Sequence, residues 1–269
     1  MKLAIAFVLL MFNTNLFSQE MLTDFEARLY RPQKNGLKDL VFDMRVEGIK
    51  EILDQTTALG KKVDVTFTVY WNFAANAMRI EAQGLPRGYD ELELTLKSLV
   101  KDKIDFVLPV DLNSKFNNWK FKFNKNGEDF IGLVDGEVSN NPFQMFQLIF
   151  DKSSKLKSTL SMQNNLVTKI NYFYEAKELS GNKFLLNKLE SITGSPGNSN
   201  KMTYEISYKK MSGFVFPEKM KLRNETEYLA GFNKQKKPVV KKSEKITTIQ
   251  FSNFHINSGK AQRFFEQGR

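Results

Sequence analysis

The chain of 269 residues contains no cysteine. That absence removes disulfides, zinc–thiolate sites, thiol nucleophiles and iron–sulfur clusters, and it removes the cysteine through which a lipoprotein is acylated. Histidine occurs once, at His255, so any metal site would have to be built from oxygen ligands. A Ser–His–acid triad has only that one histidine to draw on, and no G-x-S-x-G turn is present to carry the nucleophile. Neither G-x-G-x-x-G nor G-x-x-x-x-G-K-[ST] appears, which leaves nucleotide phosphates without a cradle. Beyond Phe12 there is no apolar run near the roughly 20 residues that span a bilayer as a helix.

What is present begins with Lys2, the unbroken apolar run Leu3–Phe12 and a polar stretch to Ser18. This order predicts an export signal over residues 1–18, cleaved near Ser18, with residues 19–269 forming one domain. Ten apolar residues reach only about 15 Å as a helix, half the thickness of a hydrocarbon core. The net charge of +10 favours anionic partners, and it serves solubility equally well. Its densest run places Lys234, Lys236, Lys237, Lys241, Lys242 and Lys245 around Pro238. An anionic membrane surface suits such a run, whereas nucleic acid does not suit an exported chain. The other reading of these lysines is a solvated loop between two late strands. Aromatic content is one-sided, with 24 Phe against 8 Tyr and 2 Trp, which predicts a large interior or an apolar cavity.

Apolar residues alternate with polar ones through Val63–Trp71, the mark of a half-buried strand. The same period runs through Leu40–Val46, Trp119–Phe123, Leu166–Tyr174, Met202–Tyr208 and Phe214–Leu222. Leu40–Val46 also fits a helical spacing, and strand is the preferred reading. Turn residues separate these runs at Gly60-Lys61, Asn124–Gly127, Asp151–Lys155, Ser180–Asn182 and Gly194–Asn200, so neighbouring strands are expected to be antiparallel. Two helices are expected. One follows Thr23, with Glu26 completing a capping box; the other starts at an Asp90 cap with Glu93 and carries Leu92, Leu96, Leu99 and Val100 on one face. The fold class is therefore mainly β, a sheet of roughly ten strands that curls and is covered by helices.

Acid pairs such as Glu91/Glu93 and Asp102/Asp105 raise glycosidase-type chemistry, and the first pair is explained by a helix N-terminus. His255, flanked by Asn253 and Asn257, reads as a surface or structural residue. No catalytic residue, metal or cofactor is assigned.

The order of segments resembles the periplasmic lipoprotein-carrier group, the LolA-like outer-membrane lipoprotein-sorting proteins. The resemblance lies in the export signal and N-terminal helix, the strand ending Val69-Tyr70-Trp71, then Ala77–Glu81 and Gly84–Gly88. It continues in Tyr204–Lys209, Gly213–Pro217, and Ile249–Asn257 followed by Phe264 and Phe265. It implies a strongly curved antiparallel sheet, an incomplete β-barrel with helices on its concave face, and a soluble, monomeric periplasmic carrier of lipoprotein or lipid acyl chains moving toward the outer membrane. On that reading the inner wall draws on Val65, Phe67, Val69, Trp71, Phe121, Phe123, Tyr204, Ile206, Tyr208, Phe214 and Phe216, and the helix with Leu92, Leu96 and Leu99 is the lid. Two other classes stand beside it: a non-catalytic interaction module on the same scaffold with a filled core, and an unrecognised hydrolase.

Overall fold

The computed structural model describes residues 21–49, 65–85, 87–116, 119–134, 143–195, 198–232 and 238–267. The expected export signal, the Gly60-Lys61 turn and Lys234, Lys236 and Lys237 lie outside the described residues.

Twelve strands form one antiparallel sheet. In chain order they are β1 Asp39–Val46, β2 Thr66–Asn72, β3 Ala77–Gln83, β4 Phe121–Asn126, β5 Asp129–Val134 and β6 Met145–Phe150. Then follow β7 Leu156–Gln163, β8 Leu166–Ala176, β9 Phe184–Ser195, β10 Asn198–Met211, β11 Phe214–Phe232 and β12 Pro238–Ile256. The spatial order is β3-β2-β1-β12-β11-β10-β9-β8-β7-β6-β5-β4, so β4 to β12 run as a meander and β1 joins the last strand. The sheet curls strongly without closing, with β3 and β4 as its edges. Leu40–Val46 is strand, because its alternate side chains meet β12 and β2 in register, Leu40 opposite Ile256 and Trp71.

Among the helices that accompany the sheet are α1 (21–28), α2 Asp90–Lys101, α3 Leu112–Lys115 and α4 Lys260–Gln267. The first three cover the concave face. Met21, Leu22, Phe25 and Leu29 form the stripe by which α1 enters a cluster with Phe121, Leu148, Phe150 and Phe184. Leu96 and Val100 put α2 on a separate cluster built from β1, β2 and β10–β12, where Phe42, Phe67 and Phe216 are fully buried. The short α4 lies on the outer face. Its Phe264 stacks on Tyr70 with ring centroids 4.0 Å apart, while Asp39 accepts from the Gln262 N–H at 2.8 Å.

Three local expectations are corrected. Thr23 sits inside α1 rather than at its cap, and Glu26 turns inward to a buried arginine and to Asn113. At α2 the N-cap is Tyr89 and makes no side-chain cap; Glu93 pairs instead with Lys97 at 2.6 Å. The lysine-rich segment is not a loop from Pro238 onward but the start of β12, which pairs with β11 back from Phe232. Strand pairing there satisfies backbone groups that a solvated loop would leave to water. α3 and α4 have no counterpart in the sequence reading, since one is a single turn and the other carries few apolar residues.

Candidate functional site: a cavity on the concave face

Between the two apolar clusters the concave face is not filled. A cavity of about 520 Å³ lies there, partly open to solvent. Its sheet wall is made by Ile170, Tyr172 and Tyr174 of β8, Leu186, Leu189 and Ser191 of β9, and Met202, Tyr204 and Tyr208 of β10. Its outer wall is the segment Asp102–Lys115 together with Leu29, Tyr30 and Pro32, the stretch that leaves α1. These side chains share one surface because the register places Tyr172 opposite Leu189 and Leu189 opposite Tyr204, with period-two alternation setting them on the same face.

The cover is fastened by polar contacts. Arg31, 3% exposed, places Nη1 2.8 Å from an Asp111 carboxylate oxygen and Nη2 3.5 Å from Glu26. Glu26 accepts from the backbone N–H of Asn113 at 3.0 Å and from its side-chain amide at 2.6 Å. Gln33 donates to the Pro109 carbonyl at 3.3 Å, and Lys34 lies 3.7 Å from Asp111. Residues 26–34 thus hold α3 and the irregular stretch before it over the cavity. Burial and the side-chain hydrogen bond with Asp111 push the Glu26 carboxyl upward, against the pull of the Asn113 N–H and Arg31. Burial acts to raise Asp111 too, but hydrogen bonds with Glu26, Arg31 and the Ser114 N–H outweigh it and bring that carboxyl down to about 2.

The phenols in the wall are held neutral. Burial raises Tyr172, Tyr174 and Tyr208 above the ordinary tyrosine value, and Tyr208 donates to the Leu186 carbonyl at 2.9 Å. A neutral, hydrogen-bonded phenol contributes an apolar ring and a fixed polar tip. At the mouth, Lys103 lies 5.1 Å over the Tyr204 ring, and burial raises the Asp105 carboxyl with Asp102 adding to the effect. Among the described residues no group of three His, Asp or Glu side chains is placed to hold a metal. His255 is at the far end of β12, with Nε2 3.0 Å from the Lys260 ammonium, and does not line the cavity. A second hollow of about 650 Å³ over β5–β8 is charged: Lys152, Lys155 and Lys157 each face a carboxylate there, Glu128, Asp151 and Asp129.

Of the eleven inner-wall residues expected from sequence, Tyr204 and Tyr208 line the cavity. Val65, Phe67, Val69, Ile206 and Phe216 are buried in the solid cluster beneath α2, with Trp71 and Phe214 packed against it. Phe121 and Phe123 belong to the cluster around α1. The helix expected as lid also lies elsewhere. Leu96 is buried in the solid cluster, Leu92 is partly buried against it, and Leu99 is 56% exposed; none lines the cavity. The wall residues Ile170, Tyr172, Tyr174 and Met202 belong to alternations visible in the sequence. Leu186 and Leu189 were hidden because a bulge opposite Phe173/Tyr174 breaks the parity of β9.

Comparison with protein-family models, with curated proteins and with solved structures gives no match for this chain.

Proposed function

We propose that this protein is a soluble carrier that takes an acyl chain, of a lipidated protein or of a lipid, into the cavity beneath Asp102–Lys115. The observation that supports this most directly is a cavity of about 520 Å³ in a chain whose neighbouring clusters are solidly packed. That volume falls within the usual 300–1,000 Å³ of small-molecule sites, and its wall carries leucine, isoleucine, methionine and neutral tyrosine side chains. An acyl chain moved from water into such a wall gains about 0.8 kcal/mol per methylene, the energy that makes a sleeve necessary for transit between membranes. Export to the periplasm and delivery toward the outer membrane belong to this proposal through the resemblance. So does contact of the lysine-rich β11–β12 hairpin with an anionic membrane surface.

The test is native mass spectrometry of the purified protein, followed by titration of the delipidated protein with cis-parinaric acid. Bound lipid and saturable fluorescence are expected. Leu189→Trp should fill the cavity and weaken binding about tenfold or more, with an unchanged circular dichroism spectrum. Absence of lipid and of parinaric acid binding in the wild type would return the protein to the interaction-module class.

A further inference from the structure

We infer that the headgroup of the carried amphiphile lies on the concave face of the long β8–β12 arm, and that this headgroup is anionic and hydroxyl-bearing. The inference rests on the carrier reading and goes beyond it. The cavity wall ends, along the strands, at the row Ile170–Ser191–Met202. One step further out on the same face, Ser161, Thr168, Thr193, Asn200, Thr226 and Ser243 stand in register across β7 to β12. Every one is uncharged and hydrogen-bonding. Thr168 and Thr193 already touch, with their hydroxyls 3.0 Å apart.

Solubility does not account for this row, because the opposite face of the same arm is made soluble with charge. There Lys188 meets Glu190 at 2.7 Å, Arg223 meets Glu244 at 3.5 Å, and Lys242 meets Glu227. Strand alternation sends the carboxylates Glu225, Glu227 and Glu244 to that outer face and leaves Lys241 and Lys245 on the concave one, opposite Tyr228 and Asn224. The concave face of the arm therefore combines two cations with no carboxylate on the β7–β12 positions that share it. The side-chain oxygens of Asn200 and Asn224 are shielded from solvent and have no donor among the described residues. Hydroxyl groups of a ligand supply such donors, and an anion placed between Lys241 and Lys245 completes the charge. An amphiphile with its chain in the cavity places its headgroup here, since successive same-face residues are only about 7 Å apart along a strand.

Calorimetric titration of the delipidated protein with dihexanoylphosphatidylglycerol, dihexanoylphosphatidylcholine and sn-glycerol 3-phosphate tests this. The phosphatidylglycerol is expected to bind about tenfold more tightly than the choline lipid, and free glycerol phosphate far more weakly than either. Lys241→Gln with Lys245→Gln should erase the preference without changing affinity for the choline lipid. Thr168→Val with Thr226→Val should weaken only the glycerol lipid, by about threefold or more. Equal affinities in the wild type, or a preference that survives both variants, overturn the headgroup site while parinaric acid binding leaves the cavity standing. Glycerol phosphate binding as tightly as its lipid overturns the lipid as the source of the anion. Failure of both lipids and of parinaric acid removes the carrier reading and this site with it.

Discussion

Arg31 is the side chain on which the cover depends, because it is almost wholly buried and two carboxylates depend on it. Arg31→Met leaves Glu26 and Asp111 facing each other with no buried cation, and removal of one partner from a buried pair costs roughly 3–5 kcal/mol. Chemical denaturation should show that loss, and Glu26→Gln with Asp111→Asn added to Arg31→Met should restore most of it. Glycine provides a second residue-scale test. A Cβ on Gly194 would come within 2.5 Å of the Asn198 carbonyl oxygen, backbone that cannot yield, at the turn into β10. At Gly132 the Cβ would meet the Phe123 ring at 2.6 Å, and a ring can swing aside. Gly194→Ala is therefore expected to cost more than Gly132→Ala, by about 1–2 kcal/mol in urea unfolding.

At the scale of elements, the cover over the cavity should respond to acid in two opposite ways. Glu26 and Asp105 have carboxyl values raised in the folded state, so each takes a proton more readily folded than unfolded, and mild acid favours the closed cover. Asp111 has its value lowered to about 2, so its contribution is complete above the ordinary carboxylate range near 4 and fades between about 4 and 2. Protection factors of residues 102–116, taken relative to intrinsic exchange at each pH, should rise as the pH falls from neutral toward the ordinary carboxylate range and fall below it. Glu26→Gln should flatten the first limb and Asp111→Asn the second. The hydrophobic period of the strands was readable in sequence, because alternation needs only one wet and one dry face. The helix caps were not. Glu26 fits a capping box locally, and only the fold brings Arg31 and Asn113 to compete for its carboxylate.

Across the whole molecule, the sheet divides its apolar residues between packed clusters and a cavity wall, and sequence could not tell the two apart. Phe67 and Leu189 look alike as apolar strand residues, yet Phe67 is fully buried in the solid cluster and Leu189 lines the cavity. Phe67→Ala is expected to lower stability by about 3–5 kcal/mol while the surviving folded protein still binds parinaric acid. Leu189→Trp is expected to do the reverse. Fold class was legible because twelve strands with short turns leave few alternatives to an antiparallel sheet. The position of the cavity was not, since it depends on where α1 and α2 stop covering the face.

The strand order carries a consequence for how the molecule comes into being. β1, complete by Val46, hydrogen-bonds to β12, which begins at Pro238, so the middle of the sheet is sewn from the two distant parts of the chain. Contacts so far apart in sequence form late and slowly. Until β12 is in place, β1–β3 lack the strand that joins them to the meander, and Phe42 and Phe67 have no finished core to enter. The half-made chain thus leaves apolar faces uncovered, and refolding from urea should end in a slow phase in which β1 and β12 become protected together.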